Sequence, residues 1–213
     1  MEYNGINISS QGATGIQGSQ GIQGSQGNAQ FSGIHNALPT ASGDVISYQI
    51  VATGFQASNI PANRLYAIPF IPAKNTVYSG LSITVSSAGL SGLGRILIYS
   101  DLNGKPNTKL YESTALSLNS NGIKNVIVSG TFLAGVTYWL SWYNDTTTAT
   151  LFVNNSTAPY GLLNVDYDAS LIGQLGYFMD VTFGSAPNTF SNLPTLFNGT
   201  SPNFAVLIYI TIA

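Results

Sequence analysis

Side chains able to do chemistry are few in this sequence and sparsely placed. Asp166 and Asp168 stand two apart in the run Asn164-Val165-Asp166-Tyr167-Asp168, so an extended backbone puts both carboxylates on one face. Oxygen ligands at that spacing suit Ca²⁺, which takes about six to eight of them. The run has neither the following glycine nor the bidentate glutamate of an EF-hand, and a solvated loop explains the pair more simply. Asp145, followed by Thr146, Thr147 and Thr148, reads as a turn with Asx and hydroxyl hydrogen bonds. Glu112 is the only glutamate besides Glu2, so the facing acids of a glycosidase would need an aspartate as second member. His35 is the only histidine, with Asp44 as its nearest acid in sequence; a structural role outweighs a Ser–His–Asp arrangement. The absence of cysteine removes disulfides, thiolate zinc sites and cysteine nucleophiles together. No catalytic residue, no cofactor and therefore no enzyme is expected.

A binding surface is the better prospect. The run Tyr138-Trp139-Leu140-Ser141-Trp142-Tyr143 places aromatics on both faces of one strand. Tyr138, Leu140 and Trp142 are expected to face the core. Trp139 and Tyr143, if their face is open, could stack on sugar rings, since each joins an apolar body to a polar tip. Tyr160, Asn154 and Asn155 in the following loop would then supply hydrogen bonds. Packing within the core or against a neighbouring subunit is the plainer alternative. The sequons at Asn144, Asn154, Asn155 and Asn198 matter only if the chain meets a glycosylation machinery.

The elements that must position these residues are set by an unusual composition. Only 7% of the 213 residues are charged, against about 25% in ordinary domains, while 44% are hydrophobic. Charge-driven disorder is thereby excluded for most of the chain. Six Lys and Arg against eight Asp and Glu give a net charge of −2, which leaves no basic footprint for nucleic acid. All the cations lie between Arg64 and Lys124, and residues 125–213 carry only Asp145, Asp166, Asp168 and Asp180. Low charge of this kind suits packing between subunits. The N-terminus shows no secretory signal. The most apolar stretch, 205–213, is far shorter than the roughly 20 residues of a membrane-spanning helix, so neither export nor membrane insertion is expected.

From residue 44 onward the pattern is β. Leu81, Ile83 and Val85 alternate with Ser82, Thr84 and Ser86, and Val206, Ile208, Ile210 and Ile212 alternate with Leu207, Tyr209 and Thr211. Such period-two alternation marks strands with one face on a core. Further strands are predicted at 45–52, 65–71, 95–100, 107–113, 123–129, 136–143, 149–153, 161–165 and 176–183. Turn signals separate them at 72–75, 89–94, 101–106, 119–122 and 144–147. No segment carries a helical period. About ten short strands predict an all-β, jelly-roll-like sandwich over 44–213.

The N-terminal part differs in kind. Gly12, Gly15, Gly18, Gly21, Gly24 and Gly27 recur at every third position over residues 12–29. Three polyproline-II chains wound together require that phase, because only a hydrogen fits at their axis. A low-complexity linker descended from a duplicated hexapeptide is the alternative. At about 3 Å per residue the segment would be a triple-helical rod of roughly 50 Å. It contains no proline, so a trimeric domain or an anchor must hold its strands in register. Residues 1–11, with Ile6 and Ile8 alternating among polar residues, read as an attachment peptide, and residues 30–43 as a connector.

The run Arg95-Ile96-Leu97-Ile98-Tyr99-Ser100-Asp101-Leu102-Asn103-Gly104-Lys105-Pro106-Asn107-Thr108-Lys109-Leu110-Tyr111-Glu112 resembles the strand–turn–strand of a β-sandwich domain of bacteriophage tail-fibre, virion and prophage proteins. Three segments agree with it in order: Asn63-Arg64-Leu65-Tyr66-Ala67-Ile68-Pro69-Phe70, Gly135-Val136-Thr137-Tyr138-Trp139-Leu140, and Phe183-Gly184-Ser185-Ala186-Pro187-Asn188-Thr189-Phe190. The resemblance covers about residues 50–213 and describes a fold and its turns, with no catalytic residue. A short glycine-triplet stalk before a sandwich is also similar to small phage fibres, and to the collagen-stalk, jelly-roll proteins of spore surfaces and the complement family. It implies a homotrimeric fibre on a virion surface, at head or tail, attached to a capsid or tail protein through residues 1–11. The head would then contribute adhesion to host or environmental glycans.

Overall fold

A computed structural model of the chain describes residues 42–43, 45–47, 55–154, 176–184, 186–190, 194–197 and 205–213. The expected attachment peptide, the glycine-triplet segment, His35 and the strand expected at 161–165 lie outside the described residues. The described strands are β1 (Val45–Ser47), β2 (Phe55–Asn59), β3 (Arg64–Phe70), β4 (Thr76–Ser87), β5 (Leu93–Leu102), β6 (Lys105–Glu112) and β7 (Leu116–Ser117). They continue with β8 (Gly122–Phe132), β9 (Tyr138–Asn144), β10 (Thr150–Asn154), β11 (Gly176–Asp180), β12 (Thr195–Phe197), β13 (Ala205–Val206) and β14 (Tyr209–Ile212). No helix occurs among the described residues.

Two antiparallel sheets result. The first runs β1-β14-β4-β10-β13, with β2 on β10 and β8 on β4; the second runs β12-β11-β3-β9-β5-β6, with β7 on β5. Their facing sides share one core. Leu81, Ile83 and Val85 of β4, Leu151 and Val153 of β10 and Ile210 of β14 meet Tyr66 and Ile68 of β3, Ile96 and Ile98 of β5, and Leu140 and Trp142 of β9. This is the layering of a β-sandwich, and it follows from the alternation read in β4, whose Ser82 and Thr84 point to the other side of the sheet. Phe132 knits one end of the core, stacked on Tyr78 at 4.4 Å and edge-on to Phe70 at 5.0 Å.

The last apolar run departs from the single alternating strand expected. The chain leaves β10 after β13 and joins β4 and β1 as β14. At the change of partner both Leu207 and Ile208 are buried, and the Leu207 amide donates to the Phe152 carbonyl at 3.1 Å. Leu207 therefore belongs to the interior, where strict alternation placed it outside. The turn expected at 101–106 is a two-residue hairpin loop between β5 and β6. Asn103 (φ 54°) and Gly104 (φ 75°) are both left-handed, as a type I′ turn requires, and the Gly104 amide donates to Asp101 Oδ2 at 3.1 Å.

Candidate functional site

The outer face of the second sheet carries the aromatics singled out for sugar stacking, and it is closed. Trp139 and Tyr143 are both 0% exposed. They form a second apolar cluster with Leu65, Ala67, Leu97, Tyr99, Tyr177 and Phe190, covered by Met179, Val181, Phe183, Ala186 and Leu196. The cover is the segment after β11, strapped across the sheet by hydrogen bonds. Tyr99 donates its hydroxyl to the Pro187 carbonyl at 2.8 Å. The Phe190 amide donates to the Asn107 carbonyl at 2.7 Å, and the Lys109 amide to the Asn188 carbonyl at 2.8 Å. Phe190 stands edge-on to Tyr99 at 5.3 Å, and Phe183 lies over Tyr143 at 4.9 Å. Trp139 and Tyr143 are thus core residues and leave the set of candidate ligand contacts: their strand is central, and a strap covers the face that would have to be open.

The carboxylates are held structurally as well. Glu112 accepts from Lys109 Nζ at 2.6 Å, from Arg95 Nη1 at 2.9 Å and from the Tyr143 hydroxyl at 3.2 Å. Burial pushes its carboxyl up, but hydrogen bonding and charge from Lys109, joined by the bonds from Arg95 and Tyr143, outweigh it and hold the group below its ordinary 4.5. Asp101 accepts the Trp139 indole N–H at 2.8 Å, and Asp180 pairs with Arg64 at 2.7 Å. Asp145 accepts from the Leu93 amide at 2.8 Å, across to β5, while Thr146 and Thr148 bond each other at 2.8 Å as the turn reading required. Among the described residues no group of three or more His, Asp or Glu could hold a metal ion. Asn144 of the first sequon is 2% exposed and donates its amide N–H to the Ile60 and Thr146 carbonyls, so it is no acceptor for a glycan. Asp166, Asp168, Tyr160 and Asn155 lie outside the described residues, and Asn154 ends β10 opposite Phe55 and Ala205.

The Glu112 cluster gives a pH prediction. A carboxyl held below its unfolded value contributes stability that is present above that value and is lost as pH falls through the folded one. Wild type and Glu112→Gln should therefore differ most in urea midpoint at neutral pH, and the gap should narrow as pH falls below about 4.5. Urea titrations between about pH 3 and 7 check this.

The open surface is on the other sheet. A groove of about 640 Å³ runs along the outer face of β4 between β14 and β8. Gly80, Ser82 and Thr84 form its floor. Register places Thr211 and Tyr209 of β14 beside Gly80 and Ser82 as one wall, and Ile127, Asn125 and Ile123 of β8 beside Gly80, Ser82 and Thr84 as the other. The floor is low because its residues are small: a methyl group on Gly80 would reach 3.3 Å from the Val126 carbonyl and 3.5 Å from Thr211 Oγ1. The apolar members of the wall stand in solvent, Ile127 97% and Ile123 65% exposed. The side chains of Ser82, Thr84, Asn125, Tyr209 and Thr211 enter no hydrogen bond among the described residues.

No family model matches the chain, and no curated protein matches it. Among solved structures it is similar to the clostridial cysteine protease Cwp84 after propeptide cleavage, at 15% identity and a TM-score of 0.45, over 82% of this chain and 42% of that one. The chain thus spans less than half of that protein's length. The likeness carries no argument about activity.

Sequence reasoning missed the groove because it looked for aromatics. The signal was present as the Gly80-Leu81-Ser82-Ile83-Thr84 alternation, whose small, hydroxylated half forms the floor, and as Ile123-Lys124-Asn125-Val126-Ile127, where apolar residues fall on both faces of an edge strand.

Proposed function

We propose that the chain is a non-enzymatic, homotrimeric virion-surface fibre of a bacteriophage, with a jelly-roll-like head that contributes adhesion to host or environmental glycans. Residues 1–11 attach it to a capsid or tail protein, residues 12–29 are a collagen-like stalk, and residues 44–213 are the head. The observation that carries the reading is the unbroken glycine phase at Gly12, Gly15, Gly18, Gly21, Gly24 and Gly27 in front of a weakly charged all-β sandwich. Chains in a triple helix emerge side by side, so their heads are arranged about one three-fold axis. Heads from a chain with only 7% charged residues pack there without charge repulsion. Repeated heads also raise the apparent affinity of weak sites through effective concentration. A stalk of only six glycine triplets favours a capsid-mounted fibre over a tail-fibre tip.

Two measurements test the reading. Imaging particles with and without the protein locates it; absence from the particle surface, or placement on a cell or spore surface, removes the virion assignment. Comparing adsorption of those particles to host cells and polysaccharides tests adhesion; equal adsorption leaves a capsid ornament or stabiliser. Within the stalk, Gly21→Ala sets a methyl group at the crowded axis. The expected outcome is loss of triple-helical circular dichroism over residues 12–29, with trimers retained through the heads by sedimentation. An unchanged spectrum argues for a linker.

A further inference from the structure

We infer that the groove along β4 is the glycan site of the head and that its ligand is a neutral, extended polyhydroxylated chain; this rests on the adhesion reading above. Shape comes first. The floor from Gly80 to Thr84 follows one strand, at about 3.3 Å per residue, so the groove is linear and accommodates a short run of sugar rings lengthwise. A floor of glycine, serine and threonine lets a ligand approach the sheet closely, and the two walls confine it sideways.

Chemistry of the lining narrows the class. Thr84 and Thr211 offer hydroxyls, Asn125 an amide and Tyr209 a phenol, with the nearly covered Ser82 hydroxyl at the bottom of the floor, all outside the intramolecular hydrogen bonds described above. Each can both donate and accept, which suits sugar hydroxyls, themselves donors and acceptors. Tyr209, Ile123 and Ile127 add apolar surface for the C–H faces of the rings, with tyrosine suited to stacking. Among the described residues, no Lys, Arg, Asp or Glu lines the groove. Lys124, which lies between two lining residues, directs its Nζ to Ser120 Oγ at 2.6 Å. With no cation to pair a carboxylate, sulfate or phosphate, acidic glycans and nucleic acids lack a partner charge. A second copy of the chain could use the same apolar walls, but five hydrogen-bonding side chains with no intramolecular partner described fit a hydrated ligand better than a dry interface core, where charged and polar groups are depleted.

Retardation of the full chain in native gels containing dextran, laminarin, galactomannan or alginate tests the site, with sedimentation recording assembly for every variant. Wild type should be retarded by at least one of the three neutral polysaccharides and not by alginate. Asn125→Ala combined with Tyr209→Phe should weaken that retardation about tenfold. Ile127→Asp should abolish it without changing the oligomeric state, because Ile127 is almost wholly exposed. Retardation by alginate alone overturns the neutral-ligand assignment. Retardation that persists in both variants overturns the groove while leaving adhesion standing elsewhere on the head. Dissociation of the assembly by Ile127→Asp makes the face a contact between copies and overturns the site. No retardation in any gel also overturns the groove, and the particle adsorption comparison then decides separately whether adhesion falls with it.

Discussion

Trp139→Ala is expected to lower folding stability by about 3–5 kcal/mol, read as a shift in urea midpoint. The indole is fully buried between the second sheet and its strap, 5.5 Å from the Tyr177 ring. Its N–H is the donor to Asp101 Oδ1, and the same Asp101 accepts the Gly104 amide that shapes the β5–β6 turn. Truncation therefore opens a cavity and removes a charge-assisted bond together. Trp139→Phe separates the two, since it retains most of the apolar contact and loses only the donor; its cost should be clearly smaller. A change below about 1 kcal/mol for the alanine variant would mean that the strap does not close over this face in solution. Because the residue is structural, loss of adhesion in Trp139→Ala would report unfolding and not a lost sugar contact.

Gly94→Ala should be nearly as damaging, at about 3 kcal/mol, the upper part of the usual range for overpacking. A Cβ at this position of β5 would lie 2.1 Å from Cη2 and 2.2 Å from Cζ2 of Trp142. The ring cannot retreat: it is 1% exposed, and its N–H donates to Asn144 Oδ1 at 3.1 Å. Either the strand shifts away from β9 or the indole is expelled from the main core. Thermal unfolding of Gly94→Ala beside Gly104→Ala gives an internal contrast. Gly104 has nothing within 4 Å of an added methyl, so its cost comes only from its left-handed backbone.

These two glycines show how far the sequence could be read. Gly104 was legible as part of the turn expected at 101–106, which is found as a type I′ hairpin. Gly94 was counted among turn residues, yet it lies inside β5, where the missing side chain makes room for a tryptophan 48 positions later in the chain. Local pattern reports backbone conformation well and distant space poorly. The alternation of β4 correctly placed Leu81, Ile83 and Val85 inside, because one side of that strand meets solvent. In β9 every residue from Trp139 to Asn144 is buried, so alternation separates two cores and not a core from water. Only the chain that packs on the second face, here the strap from Val181 to Phe190, decides between a platform and an interior. β7 and β12 went unread because two or three residues are too few to show a period, and β2, Phe-Gln-Ala-Ser-Asn, carries only one large apolar residue. The groove has a floor of Gly80, Ser82 and Thr84, small residues that give no aromatic signal in the sequence.

The order β1-β14-β4 in the first sheet also governs how this molecule comes into being. Ser79 of β4 bonds the Ile212 carbonyl across 133 residues of chain, and β1 pairs with β14 over a still longer loop. Closing such loops precedes any reward from the contacts they make, so topologies of this kind condense in milliseconds to seconds where helical bundles take microseconds. The β5–β6 hairpin closes over a two-residue turn, whereas the floor of the groove gains its Tyr209 wall only when a far longer loop closes. During that interval β4 offers an unpaired edge to any neighbouring chain. Copies folding close together therefore risk pairing with one another until each has captured its own β14.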